Sequence, residues 1–124
     1  MLSRKGFTLL ELMLALALFA SGTVAIMELL RQAEASRTDG ENILIATHLA
    51  QRRLEELRQT AYGSIDDESK ASVSSPSGFD HFSREVEVTT PYTDLKQIVV
   101  KVYWAVPGED EETDVSLQTY RANL

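Results

Sequence analysis

Cysteine is absent from the 124 residues. Disulfide staples, thiolate metal sites and a thiol nucleophile are excluded together. Proline is scarce, and Pro76 is the first of three, so no proline before it breaks a helix. Histidine occurs only as His48 and His81. His81 follows Asp80, but neighbours in sequence do not make a triad. Neither a Gly-x-Ser-x-Gly elbow nor a glycine-rich phosphate loop is present. A catalytic constellation, a cofactor site and a metal site are therefore not expected, and the chain reads as a non-enzyme. Positive charge is short as well: 12 Lys and Arg face 19 Asp and Glu, for a net charge of −7. Phosphate contacts need Lys and Arg, so nucleic acid is not an expected partner.

Charge is scarcest near the start. From Phe7 to Met27 only Glu11 is charged. As a helix this run spans roughly 30 Å, the thickness of a hydrocarbon core. A carboxylate in such a run is costly unless something pairs with it, which marks Glu11 as a functional residue. Three readings fit the composition. A secretory signal peptide would use Met1–Lys5 as its n-region, with weak cleavage sites at Ala15-Leu16-Ala17 and Ala20-Ser21. The carboxylate inside the apolar stretch and its continuation to Leu29 and Leu30 count against that reading. A plain membrane anchor explains the length but not Gly6-Phe7 or Glu11. A buried helix of a soluble domain would need more chain around it than this one has. Arg4 and Lys5 directly precede the run and favour a cytoplasmic N-terminus, with the rest of the chain across the membrane.

Gly6-Phe7-Thr8-Leu9-Leu10-Glu11-Leu12 resembles the prepilin-type cleavage and methylation motif of type IV pilins and type II secretion pseudopilins. The similarity covers about the first quarter of the chain. It implies cleavage by a prepilin peptidase between Gly6 and Phe7, N-methylation of Phe7, and a role for Glu11 in subunit assembly. Cleavage would free an α-amine on Phe7, and methylation keeps it basic. Glu11 lies four residues on, on the same helix face. Opposite charges in a low-dielectric site attract strongly and are costly alone. The expectation is that Glu11 meets a Phe7 amine, its own or a neighbour's. The implied partners are the prepilin peptidase, other pilin or pseudopilin subunits through the N-terminal helix, and the inner membrane. Loss of Arg4 and Lys5 with the leader would take the side-chain charge from −7 to −9. A small head without disulfides would draw stability from its own helix and from neighbouring subunits, and would be marginal alone.

Within the family, the compact head and Leu49-Ala50-Gln51-Arg52-Arg53-Leu54-Glu55 resemble minor subunits, such as the I-type minor pseudopilin or the V-type minor pilin. Both share the motif, so secretion pseudopilus and type IV pilus remain open. The rival reading is a single-pass anchored periplasmic binding domain that does not polymerise.

The resemblance and the periodicity together predict an α+β, pilin-like fold. A long N-terminal helix, transmembrane in its first half, carries a small antiparallel sheet on its C-terminal half. The expected parts are a leader (1–6), a transmembrane and assembly helix (7–30), an amphipathic continuation (31–62) and a loop with the sheet of the head (63–124). Ala15, Ala17, Ala20, Ser21, Gly22 and Ala25 permit close helix approach. Thr38 and Glu41 match a capping box and Gly40 weakens a helix, so the helix is expected to be continuous or kinked near Asp39-Gly40. Ile43, Ala46, Ala50, Leu54, Leu57 and Ala61 form one apolar stripe. Residues 62–82, rich in Ser, Gly and Asp, read as a loop. Strands are expected over 84–89, 95–106 and 115–121, as a three-stranded meander. The central one is apolar on both faces, and its second face is expected to meet the loop or a neighbouring subunit. Asp66-Asp67-Glu68 and the run Glu109–Glu112 with Asp114 read as solvated acidic turns; neither has a recognisable calcium spacing.

Overall fold

A computed structural model describes the chain from Gly6 to Leu124. The cations Arg4 and Lys5, and all of the expected leader except Gly6, lie outside the described residues. By internal contacts the chain divides into two units, one up to Thr38 and one from Asp39 to Leu124. The elements are helix α1 (Leu9–Gln59), a 3₁₀ turn (Tyr62–Ser64), and strands β1 (Glu68–Ser72), β2 (Phe82–Tyr92), β3 (Leu95–Ala105) and β4 (Glu112–Ala122). The architecture is α+β and pilin-like: one long N-terminal helix, and an antiparallel sheet packed on its C-terminal half.

The helix does not stop at Asp39-Gly40. Thr38 donates its Oγ1 hydrogen to the Glu34 carbonyl at 3.1 Å instead of capping a new helix. That back-bond satisfies the hydroxyl within the turn it already occupies. The first unit is helix with every large apolar side chain from Leu9 to Leu30 exposed, from 54 % at Leu12 to 78 % at Leu10. Its hydroxyls turn inward: Ser21 Oγ donates to the Leu18 carbonyl and Thr23 Oγ1 to the Phe19 carbonyl, both at 2.9 Å. The surface of this stretch is thus nearly pure hydrocarbon. Its far end is marked by the exposed pair Glu28–Arg31 at 3.0 Å.

In the second unit the strand order is β1-β2-β3-β4, all antiparallel. The sheet therefore has four strands, not the expected three. The added strand, β1, comes from the segment read as a loop. Glu68-Ser69-Lys70-Ala71-Ser72 has no apolar alternation, and its strand character comes from pairing with β2. The other three strands lie where the alternation placed them, and β2 and β4 extend further at both ends. Pro91 falls inside β2. β1 pairs only as far as Val86, so β2 beyond it has an open side where a missing N–H costs no ladder bond.

The core joins Ala46, Leu49, Ala50 and Leu57 of α1 to Ile65, Val73, Phe82 and Val86, and to Ile98, Val100, Val102 and Trp104 of β3. The helix stripe needs two corrections. Leu49 belongs to it. Ile43 remains 43 % exposed, and Ala61 lies past the helix end and is exposed. The outer face of β3 meets residues 62–82 only where Lys70 lies over Tyr103; Val99, Lys101 and Tyr103 stay half-exposed. Phe79, Phe82 and Trp104 stack in tilted pairs at 6.3 and 6.1 Å between centroids. Gly78 and Gly108 sit at φ +95° and +94°, turn conformations that glycine enters without strain.

Candidate functional site

The helix start is built by Thr8. The Glu11 amide donates to Thr8 Oγ1 at 3.1 Å, and the Leu12 amide to the Thr8 carbonyl at 3.1 Å. Thr8 is therefore the N-cap and Glu11 the third helical position, the spacing of a capping box. Sequence reasoning placed the helix start at Phe7 and overlooked this Thr-x-x-Glu signal, which was present in the residues. Glu11 also lies in the first turn, where the helix dipole favours a carboxylate by about 0.3–1 kcal/mol. Its carboxylate is exposed and engages no hydrogen-bond or ion-pair partner among the described residues. Gly6 and Phe7 precede the helix, and Phe7 is 85 % exposed. A Cβ on Gly6 would meet nothing within 4 Å. The fold of this chain therefore makes no demand for glycine at position 6.

The head carries a second set of polar contacts. Arg53 of α1 donates to Glu56 at 2.7 Å and to Glu68 of β1, and Arg84 of β2 lies 3.9 Å from the same Glu68. This network ties helix, edge strand and β2 together, which explains how so polar a strand as β1 is held. Burial works against the Arg53 charge, but the two carboxylates together outweigh it and raise its pKa. Arg84 is lowered, by burial first and then by the nearby Arg53 charge. Glu68 was read as part of a solvated acidic turn; in the structure it is a strand residue with two arginine partners. Its neighbour Asp67 accepts from the Val88 amide at 2.5 Å.

The C-terminal end of α1 is closed by cations from the sheet. Lys96 Nζ donates to the carbonyls of Tyr62 (2.9 Å) and Ile65 (2.7 Å) and sits 4.9 Å over the Tyr62 ring. Arg121 donates to the Arg58 carbonyl. Arg121 complements the negative end of α1, and Lys96 holds the 3₁₀ turn that follows it. On the outer face Tyr103 donates to Glu85 at 2.8 Å, and Lys101 pairs with Glu87 at 2.9 Å. Lys70 lies 4.2 Å over the Tyr103 ring and reaches Glu112.

Neither histidine joins a catalytic group. His81 stacks on Phe82 at 4.4 Å, and His48 borders a shallow groove with Ile45, Arg52 and Phe79. Among the described residues no three His, Cys, Asp or Glu side chains are grouped so as to hold a metal ion. What the N-terminal segment offers is an exposed dipeptide, a capped helix start bearing an unpaired carboxylate, and an apolar surface long enough to cross a membrane.

Residues 1–27 match the family model of the prokaryotic N-terminal methylation motif. No curated protein and no solved structure matches the chain. The matched stretch contains Gly6, Phe7 and Glu11 and ends at Met27.

Proposed function

From a prepilin-type N-terminus on a pilin-like α+β fold, we propose that the chain is a minor pilin-like structural subunit. The motif implies processing by prepilin peptidase and assembly with other pilin-like subunits. In this reading the enzyme cuts between Gly6 and Phe7 and Phe7 is N-methylated. Residues 7–30 hold the subunit in the inner membrane with its N-terminus cytoplasmic and its head periplasmic. The subunit then enters a type II secretion pseudopilus or a type IV pilus. Residues 31–62 continue the helix into the head, and 63–124 complete it.

The observation that carries the reading is the methylation motif on a helix whose large apolar side chains from Leu9 to Leu30 are all exposed. The surroundings of Gly6 support it. Nothing in the fold asks for glycine there, so the requirement falls on whatever reads the segment from outside. Glu11 is suited to meet the Phe7 amine of a neighbouring subunit, because its carboxylate has no partner in its own chain among the described residues. Such a pair in a low-dielectric core would set the register between subunits.

The test is intact-mass and N-terminal peptide mass spectrometry on the protein from its native membranes. A mature N-terminus at Phe7 carrying one methyl group is expected. An N-terminus at Met1, or a cut after Ala17 or Ala20, refutes the filament reading: the first leaves the single-pass anchored domain that does not polymerise, the second a secreted domain.

A further inference from the structure

Ile65 and Val73 are both buried, and the stretch between them is not. From Asp66 to Ser72 the one apolar side chain is Ala71, which is exposed. Strand β1 lies within this stretch. It pairs with β2 at Glu68–Val86, Ala71–Arg84 and Ser72–Ser83, with a register shift between Glu68 and Ala71. The Val73 amide donates to the Phe82 carbonyl at 2.9 Å. Bonded pairs recur at every second residue of an antiparallel ladder, so Ala71 and Arg84 form the next bonded pair. Charge supplies the rest of the hold. On the inner side Glu68 sits between Arg53 and Arg84. On the outer side Lys70 passes over the Tyr103 ring and reaches Glu112 of β4. At the start of the stretch Asp67 accepts from the Val88 amide.

We propose that residues 66–72 are a strap that opens as a unit while Ile65 and Val73 stay seated and the rest of the head stays folded, and that Glu68 is its latch. Opening the strap uncovers no apolar side chain of its own. It costs a few ladder bonds and the charged contacts. β3 is the opposite case: it is paired on both sides and buries Ile98, Val100, Val102 and Trp104, so its release unfolds the head. Local opening belongs to segments with few buried apolar contacts and exposed backbone bonds. The two buried ends keep the open strap a short closed loop, so it returns to its place instead of unravelling.

The latch follows from what opening leaves behind. Arg53 keeps Glu56 when the strap departs. Arg84 has no carboxylate but Glu68 within ion-pair distance among the described residues. Opening therefore strands a half-buried guanidinium, which favours closing. It also bares the β2 edge from Arg84 to Val88, an edge that the closed strap blunts. The head thus has a strand edge that is present only part of the time. Opening is a property of the head and does not depend on processing at Phe7.

The test is amide hydrogen exchange of the full chain in detergent micelles, residue by residue, where the rate tracks the opening equilibrium. Corrected for intrinsic rates, the Ala71 and Arg84 amides are expected to exchange at least about a hundredfold faster than those of Val100 and Val102, yet slower than in an unfolded chain. Glu68→Gln raises the Ala71 and Arg84 rates about tenfold, as expected for loss of a contact to a charged group. Lys70→Met raises them roughly two- to threefold, the range of an exposed pair. Asp66→Asn, a carboxylate with no ion-pair partner among the described residues, leaves them unchanged. Equal protection of strap and β3 amides overturns the proposal, because the head then opens only as a whole. So do strap amides with no protection, because no closed form is then held. Glu68→Gln that leaves Ala71 unchanged, or speeds Val100 as much, removes the latch. Should Glu68→Gln lose native Trp104 emission, Lys70→Met decides alone: selective acceleration of Ala71 and Arg84 keeps the strap, and no change or acceleration across β3 ends it.

Discussion

Replacing Lys96 by Met keeps the aliphatic stem and removes the ammonium that holds the turn after α1. Its two hydrogen bonds, to the Tyr62 and Ile65 carbonyls at 2.9 and 2.7 Å, are charge-assisted, and bonds to a charged group contribute roughly 1.5–3 kcal/mol each. The 4.9 Å stack on Tyr62 adds about 0.5 kcal/mol at a half-exposed site. One ammonium serves both carbonyls, and releasing the lysine returns part of up to about 2 kcal/mol of side-chain entropy. The net loss is therefore about 2 kcal/mol, set mainly by the Ile65 carbonyl left without its donor, since the Tyr62 carbonyl keeps the Ile65 amide at 3.4 Å. For a head of this size that lowers the melting temperature by roughly 8–16 °C. Trp104 is the chain's single tryptophan and is 2 % exposed, so its emission reports unfolding of the head and is blind to the anchor. The assay is a thermal melt of the full chain in detergent, followed by that emission. Lys101→Met is the control, because its ammonium pairs only with a surface carboxylate. Superimposable melts for Lys96→Met and wild type would refute the reasoning, as would an equal loss in Lys101→Met.

Glu11→Gln removes the charge proposed to meet the Phe7 amine and leaves the helix cap alone, because that cap is the backbone amide of residue 11 on Thr8 Oγ1. Membrane insertion should be kept and incorporation into filaments lost, measured by fractionating sheared filaments from membranes; normal incorporation would rule out the amine pair. The Glu56 carboxyl is held below its usual range by its hydrogen bond from Arg53, against a smaller burial effect. A depressed carboxyl contributes stability above its unfolded pKa that is lost as pH falls through the folded value, so the Trp104 transition should weaken below about pH 4. Glu56→Gln should flatten that acid limb, and an unchanged profile would remove the pair from the explanation. The Tyr103 phenol is raised, by burial first and then by its bond to Glu85. Its contribution holds below the unfolded value near 10 and is lost as pH rises through the folded one. An absorbance titration should show a late phenolate step that Tyr103→Phe removes.

Where burial is one-sided and periodic, the sequence announced the structure. Ile98, Val100, Val102 and Trp104 alternate without a break, and all four are buried. Val115, Leu117 and Thr119 face inward on β4 as their spacing implied. β1 left no such trace. Four of its five residues are polar and most are exposed, and they form a strand because β2 offers a ladder and Arg53 and Arg84 hold Glu68. Those partners are 15 and 16 positions away in the chain, beyond the reach of any local pattern. The helix stripe was read from its alanines, which fit either a core or a surface, and so Leu49 was passed over.

The N-terminal site obeys a different rule. Gly6 and Phe7 make no contact that the fold needs, and the Glu11 carboxylate makes none among the described residues. In the proposed reading their meaning lies in what other molecules do with them. A peptidase reads an extended segment residue by residue, so its requirement is written in adjacent positions and is legible without a structure. A membrane reads only the sum of an apolar run, which is equally legible. A surface assembled from distant residues, such as Leu54 of α1 and Leu117 of β4, is another matter. Such a surface has no local signature, and it becomes visible only after the strands are laid side by side.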